Sequence, residues 1–200
     1  MEKFRVFVFP LRGSLLTPRA VLPLNIFESR YLQMLEDSLS TQTPIVVCPP
    51  PPSILDKPAR LRFLEQVVGA GHPQIVNRRQ DGSCVILLHG KDRVVLEEIL
   101  MEKPYIQCSA YLAREFTEIS SANRFRLNRL RNTFFQWAEE NVSEEEMTLV
   151  EQACETPEEL IEASISVFVK DISIRQQLLA ENDLNDRLLQ VLEKIDQAKS

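Results

Sequence analysis

The chain has 200 residues, of which 44% are hydrophobic and 26% charged, with five glycines and a net charge of -6. This composition excludes a fibrous or disordered chain and leaves enough apolar residues for the core of one or two domains. No run approaches the roughly 20 consecutive apolar residues of a membrane span. The start is a poor secretory signal, because Arg5 interrupts its apolar run and Pro10 ends it. We therefore expect a cytoplasmic protein without a membrane segment.

The acidity is confined to the C-terminal part of the chain. Residues 1–119 carry 14 Lys and Arg against 13 Asp and Glu, a balance of +1, whereas residues 120–200 carry 9 against 16, a balance of -7. Eleven of the twelve prolines precede residue 105. Because charge and local stiffness both change along the chain, we expect two domains, 1–119 and 120–200. The acidic balance also argues against a general nucleic-acid binder, which presents a basic face.

The N-terminal part is predicted to consist mainly of strands. Six short segments are rich in β-branched, aromatic or other apolar residues, so each predicts a strand: 4–9, 44–48, 74–77, 84–88, 93–99 and 105–111. The dipeptide Asp81-Gly82 predicts a hairpin turn. Residues 26–35 predict a helix, whose apolar face holds positions 27, 31, 34 and 35. Many short strands with one or two helices favour a small, partly closed β-barrel.

The C-terminal part is predicted to be helical. Leu127, Leu130, Phe134 and Trp137 repeat at helical intervals, so they predict a helix over about residues 121–140. Capping boxes predict two further helix starts, at Thr156 and at Ser173. Asp183 or Asn185 can cap a last helix, and the glutamates at 144–146 and 158–159 suit first helical turns. A bundle of four or five helices follows, since each apolar stripe needs a partner.

A search for catalytic and cofactor motifs finds little. The chain has no P-loop, H-E-x-x-H or G-x-S-x-G sequence, and the G-A-G at residues 69–71 is interpreted as a strand bend. The four cysteines are scattered and predict buried thiols without a metal. His72 and His89 are predicted at turns or strand ends, because they precede Pro73 and Gly90. We expect no cofactor.

Two further features have simple interpretations. The arginines at 124, 126, 129 and 131 do not share one helix face, so we interpret them as solvated or as pairing within the bundle. Four consecutive prolines, 49–52, predict a stiff spacer between strands.

Several motifs resemble one known family. The sequences F-P-L at residues 9–11 and L-P-L-N-I-F-E-S-R-Y at residues 22–31 resemble the opening signature of the Lon protease N-terminal domain family. Residues 86–93 (I-L-L-H-G-K-D-R) and 174–188 (I-R-Q-Q-L-L-A-E-N-D-L-N-D-R-L) are similar to later motifs of that family, in the same order. Asn25 departs from the family's frequent histidine. The resemblance spans nearly the whole chain.

The resemblance implies an α+β fold. An N-terminal PUA-like (pseudouridine-synthase-and-archaeosine-transglycosylase-like) β-barrel would occupy residues 1–119, and a C-terminal helical bundle residues 120–200. It also implies binding of polypeptide, either an unfolded substrate or a protease or chaperone partner. Because the 200 residues contain no ATPase or Ser-Lys peptidase module, we expect a stand-alone, non-catalytic member.

Five residues of these motifs are candidate site residues: Phe27, Glu28, Arg30, Tyr31 and Arg93. In a structural interpretation, Phe27, Tyr31 and Met34 pack the helix on the barrel. Glu28 and Arg30 then fix neighbouring strands, with Arg93 as a charged partner. In a functional interpretation, the junction of barrel and helix is a peptide-docking surface with exposed apolar side chains. RNA binding through the barrel is the alternative function and rests on fold analogy alone.

Overall fold

The fold is α+β, as predicted. A computed structural model describes residues 2–53 and 55–198, and the chain divides into two compact units, 1–113 and 114–200, which we call the barrel unit and the helical unit. The barrel unit contains β1 (Lys3–Pro10), β2 (Val21–Ile26), α1 (Ser29–Thr41), β3 (Ile45–Cys48), α2 (Lys57–Leu64), β4 (Val67–Arg78), β5 (Cys84–Met101) and β6 (Ile106–Leu112). The helical unit contains α3 (Arg124–Asn141), α4 (Glu144–Gln152), α5 (Pro157–Phe168), α6 (Ile172–Ala180) and α7 (Leu184–Ala198). In the part of the chain that the structure describes, every helix is too short or too polar to cross a bilayer.

The six strands form one curled sheet. Their order is β2-β5-β4-β3-β1-β6, and β5 also pairs with β6. Only the pairing of β1 with β3 is parallel. Following the pairings from β5 through β4, β3, β1 and β6 therefore leads back to β5, which gives a partly closed barrel. Among the residues that the structure describes, β2 pairs with β5 alone, so one of its edges is free.

Two apolar clusters hold the barrel unit together. In the first, Tyr31, Met34 and Leu35 of α1 pack against one face of β1 and β3 and against the buried residues of β2 and β5. In the second, Phe63 of α2 packs with residues such as Val8 on the opposite face of the same strands. Helix α1 therefore fixes the position of β2 relative to the end of β1.

Strands β4 and β5 form the hairpin that the Asp81-Gly82 dipeptide predicts. Gly82 has a positive φ of 83° in the turn, and the carboxylate of Asp81 accepts hydrogen bonds from the backbone N–H and hydroxyl of Ser83. The bonds from Ser83 hold the pKa of Asp81 below its usual range. The turn therefore carries a stable negative charge at neutral pH.

Strand β5 is longer than predicted. The segments 84–88 and 93–99 are parts of a single strand of 18 residues, because Gly90 continues the strand and does not end it. A Cβ atom at Gly90 would overlap the carbonyl oxygen of Thr17, so glycine is required here for close packing of the loop between β1 and β2.

The prediction that His72 and His89 lie at turns or strand ends is wrong. They face each other inside β4 and β5, in register, and the Nε2 atom of His89 lies 2.8 Å from the Oε1 atom of Gln74. Strand β4 continues through Pro73 because β3 pairs with β4 only at Ala70 and Gly71, so no neighbour there needs the missing N–H. A register shift lies between Ala70 and Gly71, within the residues where a strand bend is predicted.

Strand β2 is absent from the sequence predictions. Pro23 in the middle of residues 21–26 argues against a strand, since proline lacks a backbone donor. The structure accommodates Pro23 because β2 lies at the end of the sheet, where one edge needs no donor.

In its described residues the helical unit has five helices, in agreement with the predicted bundle of four or five, and one helix cap differs from the prediction. The capping box predicted at Thr156 forms with Glu159 at the start of α5. A further box, which was not predicted, forms at Ser143 with Glu146 at the start of α4. Helix α6, however, is capped by Asp171 and not by Ser173, because the Asp171 carboxylate accepts the backbone N–H groups of Ser173 and Ile174. Hydrogen bonds from Ser173 hold the pKa of Asp171 below its usual range.

A buried ion cluster lies at the start of α7. The guanidinium of Arg187, which is 1% exposed, donates to the carboxylates of Glu162 on α5 and Glu115. Nearby, Phe116 forms a parallel bridge with Asp183, so the segment that begins the helical unit is attached to the start of α7. Arg187 belongs to the motif at residues 174–188, and its role in the structure is to join three parts of the helical unit.

The Arg187 cluster gives a stability prediction. Arg187→Met leaves the buried carboxylate of Glu162 without its cation, so we expect the free energy of unfolding of the helical unit to fall by about 3–5 kcal/mol. Trp137, the only tryptophan, packs near Phe168 in this unit, so its fluorescence in urea follows the helical unit selectively.

The matched control is Arg129→Met. Arg129 forms an exposed ion pair with Asp196 on the same unit, and we expect its loss to change the free energy of unfolding by less than about 1 kcal/mol. Equal effects of the two substitutions would contradict the assigned role of Arg187.

The four thiols are free and buried, as predicted. Burial raises the pKa of Cys48 and of Cys108 to about 12, so almost no thiolate is present at these two positions at pH 8. We expect the native chain to react only slowly with a thiol-specific disulfide reagent at that pH. In guanidinium chloride, which unfolds the chain, all four cysteines should react rapidly. A rapid, stoichiometric reaction of one thiol in the native chain would contradict this prediction.

Candidate functional site

A groove of about 500 Å³ lies on the barrel unit beside the start of α1. We call it the β1–β2 groove. Its lining consists of Phe9, Pro10, Leu11, Pro23, Leu24, Asn25, Phe27, Glu28, Arg30, Tyr31 and Pro50. All of these except Pro50 come from the two motifs at residues 9–11 and 22–31. The fold therefore places two separate parts of the sequence signature around one surface groove.

The groove follows the edge of β2. Consecutive residues of a strand point to opposite faces of the sheet, yet Pro23, Leu24 and Asn25 all line the groove. A groove over one face of β2 would be lined by alternate residues only. Phe9 and Pro10 at the end of β1 line the same groove. They lie beyond Val8, which is the last residue of β1 that pairs with β6.

Tyr31 forms the buried wall of the groove. The residue is 7% exposed, and its ring packs against Phe9 with ring centroids 4.9 Å apart. The guanidinium carbon of Arg30 lies 4.6 Å from the centroid of the same ring. Burial raises the pKa of Tyr31, against the opposing effect of Arg30, so the phenol is neutral at physiological pH.

The two charged residues of the groove neutralise each other. The Nε and Nη2 atoms of Arg30 donate to one carboxylate oxygen of Glu28, at 3.0 and 2.7 Å. Glu28 is the N-cap residue of α1, with an extended backbone, which allows its side chain to turn back to Arg30. The remaining lining residues carry no charge, so the groove as a whole is neutral and mainly apolar.

Phe27 is exposed, contrary to the prediction that it packs the helix on the barrel. Its side chain is 70% exposed. The reason is that α1 begins at Ser29, so Phe27 precedes the helix and does not share its buried face with Tyr31 and Met34. A large, exposed aromatic side chain beside an apolar groove is a feature of binding surfaces.

Arg93 lies outside the β1–β2 groove. It is on β5, opposite Gly69 of β4, and is 5% exposed. The residues that line the groove do not include it. The structure thus brings four of the five candidate residues together, namely Phe27, Glu28, Arg30 and Tyr31.

Sequence reasoning missed the opposite side of the groove, which consists of Phe9, Pro10, Leu11, Pro23, Leu24 and Asn25. The motifs themselves contain these residues. Their approach to one another could not be inferred, because residues 21–26 were not predicted as a strand and the position of that strand was therefore unknown.

Other candidate sites from the sequence have structural roles. Arg129 pairs with Asp196, Arg126 donates to the side chain of Asn123, and Arg131 donates to the carbonyl of Cys154. These arginines act within the helical unit and do not form a basic stripe. Within residues 2–53 and 55–198, no group of three or more His, Cys, Asp and Glu residues could hold a metal ion.

Comparisons with known proteins agree with the motifs. The model of the ATP-dependent protease La (LON) substrate-binding domain matches residues 5–197. A search of curated proteins found no match.

Two solved structures have the same fold. The crystal structure of a Lon N-terminal domain protein from Xanthomonas campestris is 19% identical, with a TM-score of 0.64, and the match covers 95% of this chain and 98% of that one. The N-terminal domain of Lon protease from the Mycobacterium avium complex is 14% identical, with a TM-score of 0.68, and the match covers 96% and 98% of the two chains. Because the family model extends over nearly all of the described sequence, the chain belongs to the family of LON substrate-binding domains.

Proposed function

We propose that the protein binds unfolded polypeptide through the β1–β2 groove, without catalysing a reaction. The observation that carries the proposal is the lining of the groove. Apolar and aromatic residues from both opening motifs of a substrate-binding family surround it, and Phe27 is exposed at its side. Burying this apolar surface against the apolar side chains of a ligand is favourable, and an unfolded chain exposes many such side chains.

The neutrality of the groove supports polypeptide as the ligand. Glu28 and Arg30 are paired, so the groove has no net charge that would select a phosphate or another ion. The arginine cluster of α3 is engaged within the helical unit, and no observation favours the RNA-binding alternative. A protease or chaperone partner would be recognised through the same surface, by an extended segment of its chain.

The groove also offers no arrangement for catalysis among the described residues. Tyr31 is held neutral by its raised pKa, and the carboxylate of Glu28 is bound to Arg30. Histidine can act as a general base, but His89 lies on β5 with Gln74 as its hydrogen-bond partner and does not line the groove. We therefore propose a binding function alone.

Substitution of Phe27 tests the proposal. Phe27→Ser removes an exposed aromatic contact, so we expect the affinity for a permanently unfolded protein, reduced and carboxymethylated α-lactalbumin, to fall by about tenfold or more. The fold should be unchanged, because Phe27 is 70% exposed. Fluorescence anisotropy of labelled lactalbumin measures the dissociation constant without ATP.

The matched control is Phe125→Ser. Phe125 is 80% exposed, on α3 of the helical unit, so this substitution removes a similar apolar area from a different surface. We expect it to leave the affinity within about twofold of that of the parent chain. No binding by the parent chain, or equal losses in the two variants, would overturn the proposed function.

A further inference from the structure

The geometry of β2 points to the way in which a polypeptide occupies the groove. We propose that the bound segment is extended and adds to the free edge of β2 as a further strand, through backbone hydrogen bonds. This inference rests on the proposed function, and it adds a binding mode and a side-chain pattern for the ligand.

The direction of the hydrogen bonds in the β2–β5 ladder identifies the free groups. The N–H of Gly90 donates to the carbonyl of Ala20 at 2.8 Å, next to the pairing of Val21 with His89. In an antiparallel ladder, residues whose backbone N–H and C=O groups bond to the partner strand alternate with residues whose backbone groups point away from that strand. Leu22, Leu24 and Ile26 therefore bond to β5, and the residues between them turn their backbone groups outwards.

The outward groups form an edge rich in acceptors. Val21 and Asn25 each present a backbone N–H and a carbonyl, whereas Pro23 presents a carbonyl alone. Pro23 and Asn25 line the groove, and all three residues are exposed. In the described parts of the chain, these outward backbone groups have no hydrogen-bond partner. An extended polypeptide carries alternating donors and acceptors at the same spacing.

The edge suits a foreign polypeptide better than a second copy of itself. In an antiparallel pair of two β2 strands centred on Pro23, the two prolines would face each other, and neither could donate a hydrogen bond. A foreign segment loses only one bond opposite Pro23, because its own N–H still donates to the Pro23 carbonyl. Proline on an exposed edge is a known protection against self-pairing.

The position of the edge also defines the ligand's side chains. Leu22 and Leu24 point to the face of β2 that packs against the cluster containing Phe9 and Tyr31. An added strand would place every second side chain on that same face, over the apolar wall, and the intervening side chains in solvent. The preferred ligand is therefore a segment of at least five residues in which apolar and polar residues alternate.

Amide hydrogen exchange of the full chain tests the binding mode directly. We expect the backbone amides of Val21 and Asn25 to exchange rapidly in the free protein, and about tenfold or more slowly when carboxymethylated α-lactalbumin is bound at saturation. The amides of Leu22 and Leu24, which bond to β5, are internal controls and should exchange slowly in both states.

A pair of substitutions at one position provides a second test. Asn25→Pro removes an outward donor without affecting a bond to β5, so we expect the affinity for the lactalbumin to fall by about tenfold. Asn25→Ala keeps the backbone donor and changes only the side chain, so we expect a smaller loss of affinity than in the proline variant. If the proline variant does not fold, exchange in the parent chain decides the question alone.

The outcomes separate this inference from the proposed function. Unchanged exchange at Val21 and Asn25 in the complex, together with a loss of binding in Phe27→Ser, would leave the groove as the binding site and overturn strand addition. If these two amides exchange slowly in the free protein, and more slowly as the protein concentration rises, a second copy occupies the edge. That result would overturn strand addition by a foreign polypeptide. Failure of the parent chain to bind would overturn both proposals.

Discussion

The barrel unit depends on the pairing of one long strand, β5, with three neighbours. Strand β4 pairs with one edge of β5, while β2 and β6 occupy successive parts of its other edge, at residues 84–89 and 94–101. Only β6 continues to β1 and so contributes to closure. Strand β2 ends the sheet, and its free edge is therefore a consequence of the length of β5.

Helix α1 turns this open edge into a groove. Its first turn carries Tyr31, which packs on Phe9 of β1, and its buried face packs against Ile26 at the end of β2. The pair of Glu28 and Arg30 lies over Tyr31 and neutralises the only two charges of the lining. The residues at the start of α1 thus form one wall of the groove and determine its polarity.

The fold class could be predicted, because hydrophobic periodicity and the motifs are local signals, and four of the five candidate residues lie around one groove. The pairing of β1 with β3 and of β2 with β5 could not be inferred from periodicity, since a strand pattern does not identify its partner. Pro73 and Gly90 predicted turns or strand ends, yet both lie inside strands, as does Pro23. Each is at a position where a missing donor or a missing Cβ is tolerated or required. The exposure of Phe27 depends on where α1 begins, and helix boundaries are the least certain part of such predictions.

Hydrogen bonds along β2 cannot by themselves make a stable complex. Each backbone bond contributes about 1 kcal/mol net, and ordering each residue of an unfolded ligand costs about 1–2 kcal/mol. The cost of ordering therefore equals or exceeds the gain from the hydrogen bonds along the edge, so the affinity depends on the apolar side chains that reach Phe27 and Tyr31. The backbone hydrogen bonds do not depend on the ligand's sequence, and the apolar wall selects only for ligands in which apolar and polar residues alternate. An edge strand beside an aromatic wall is therefore suited to weak capture of many different unfolded segments, and the proline at its centre limits self-association of the protein that carries it.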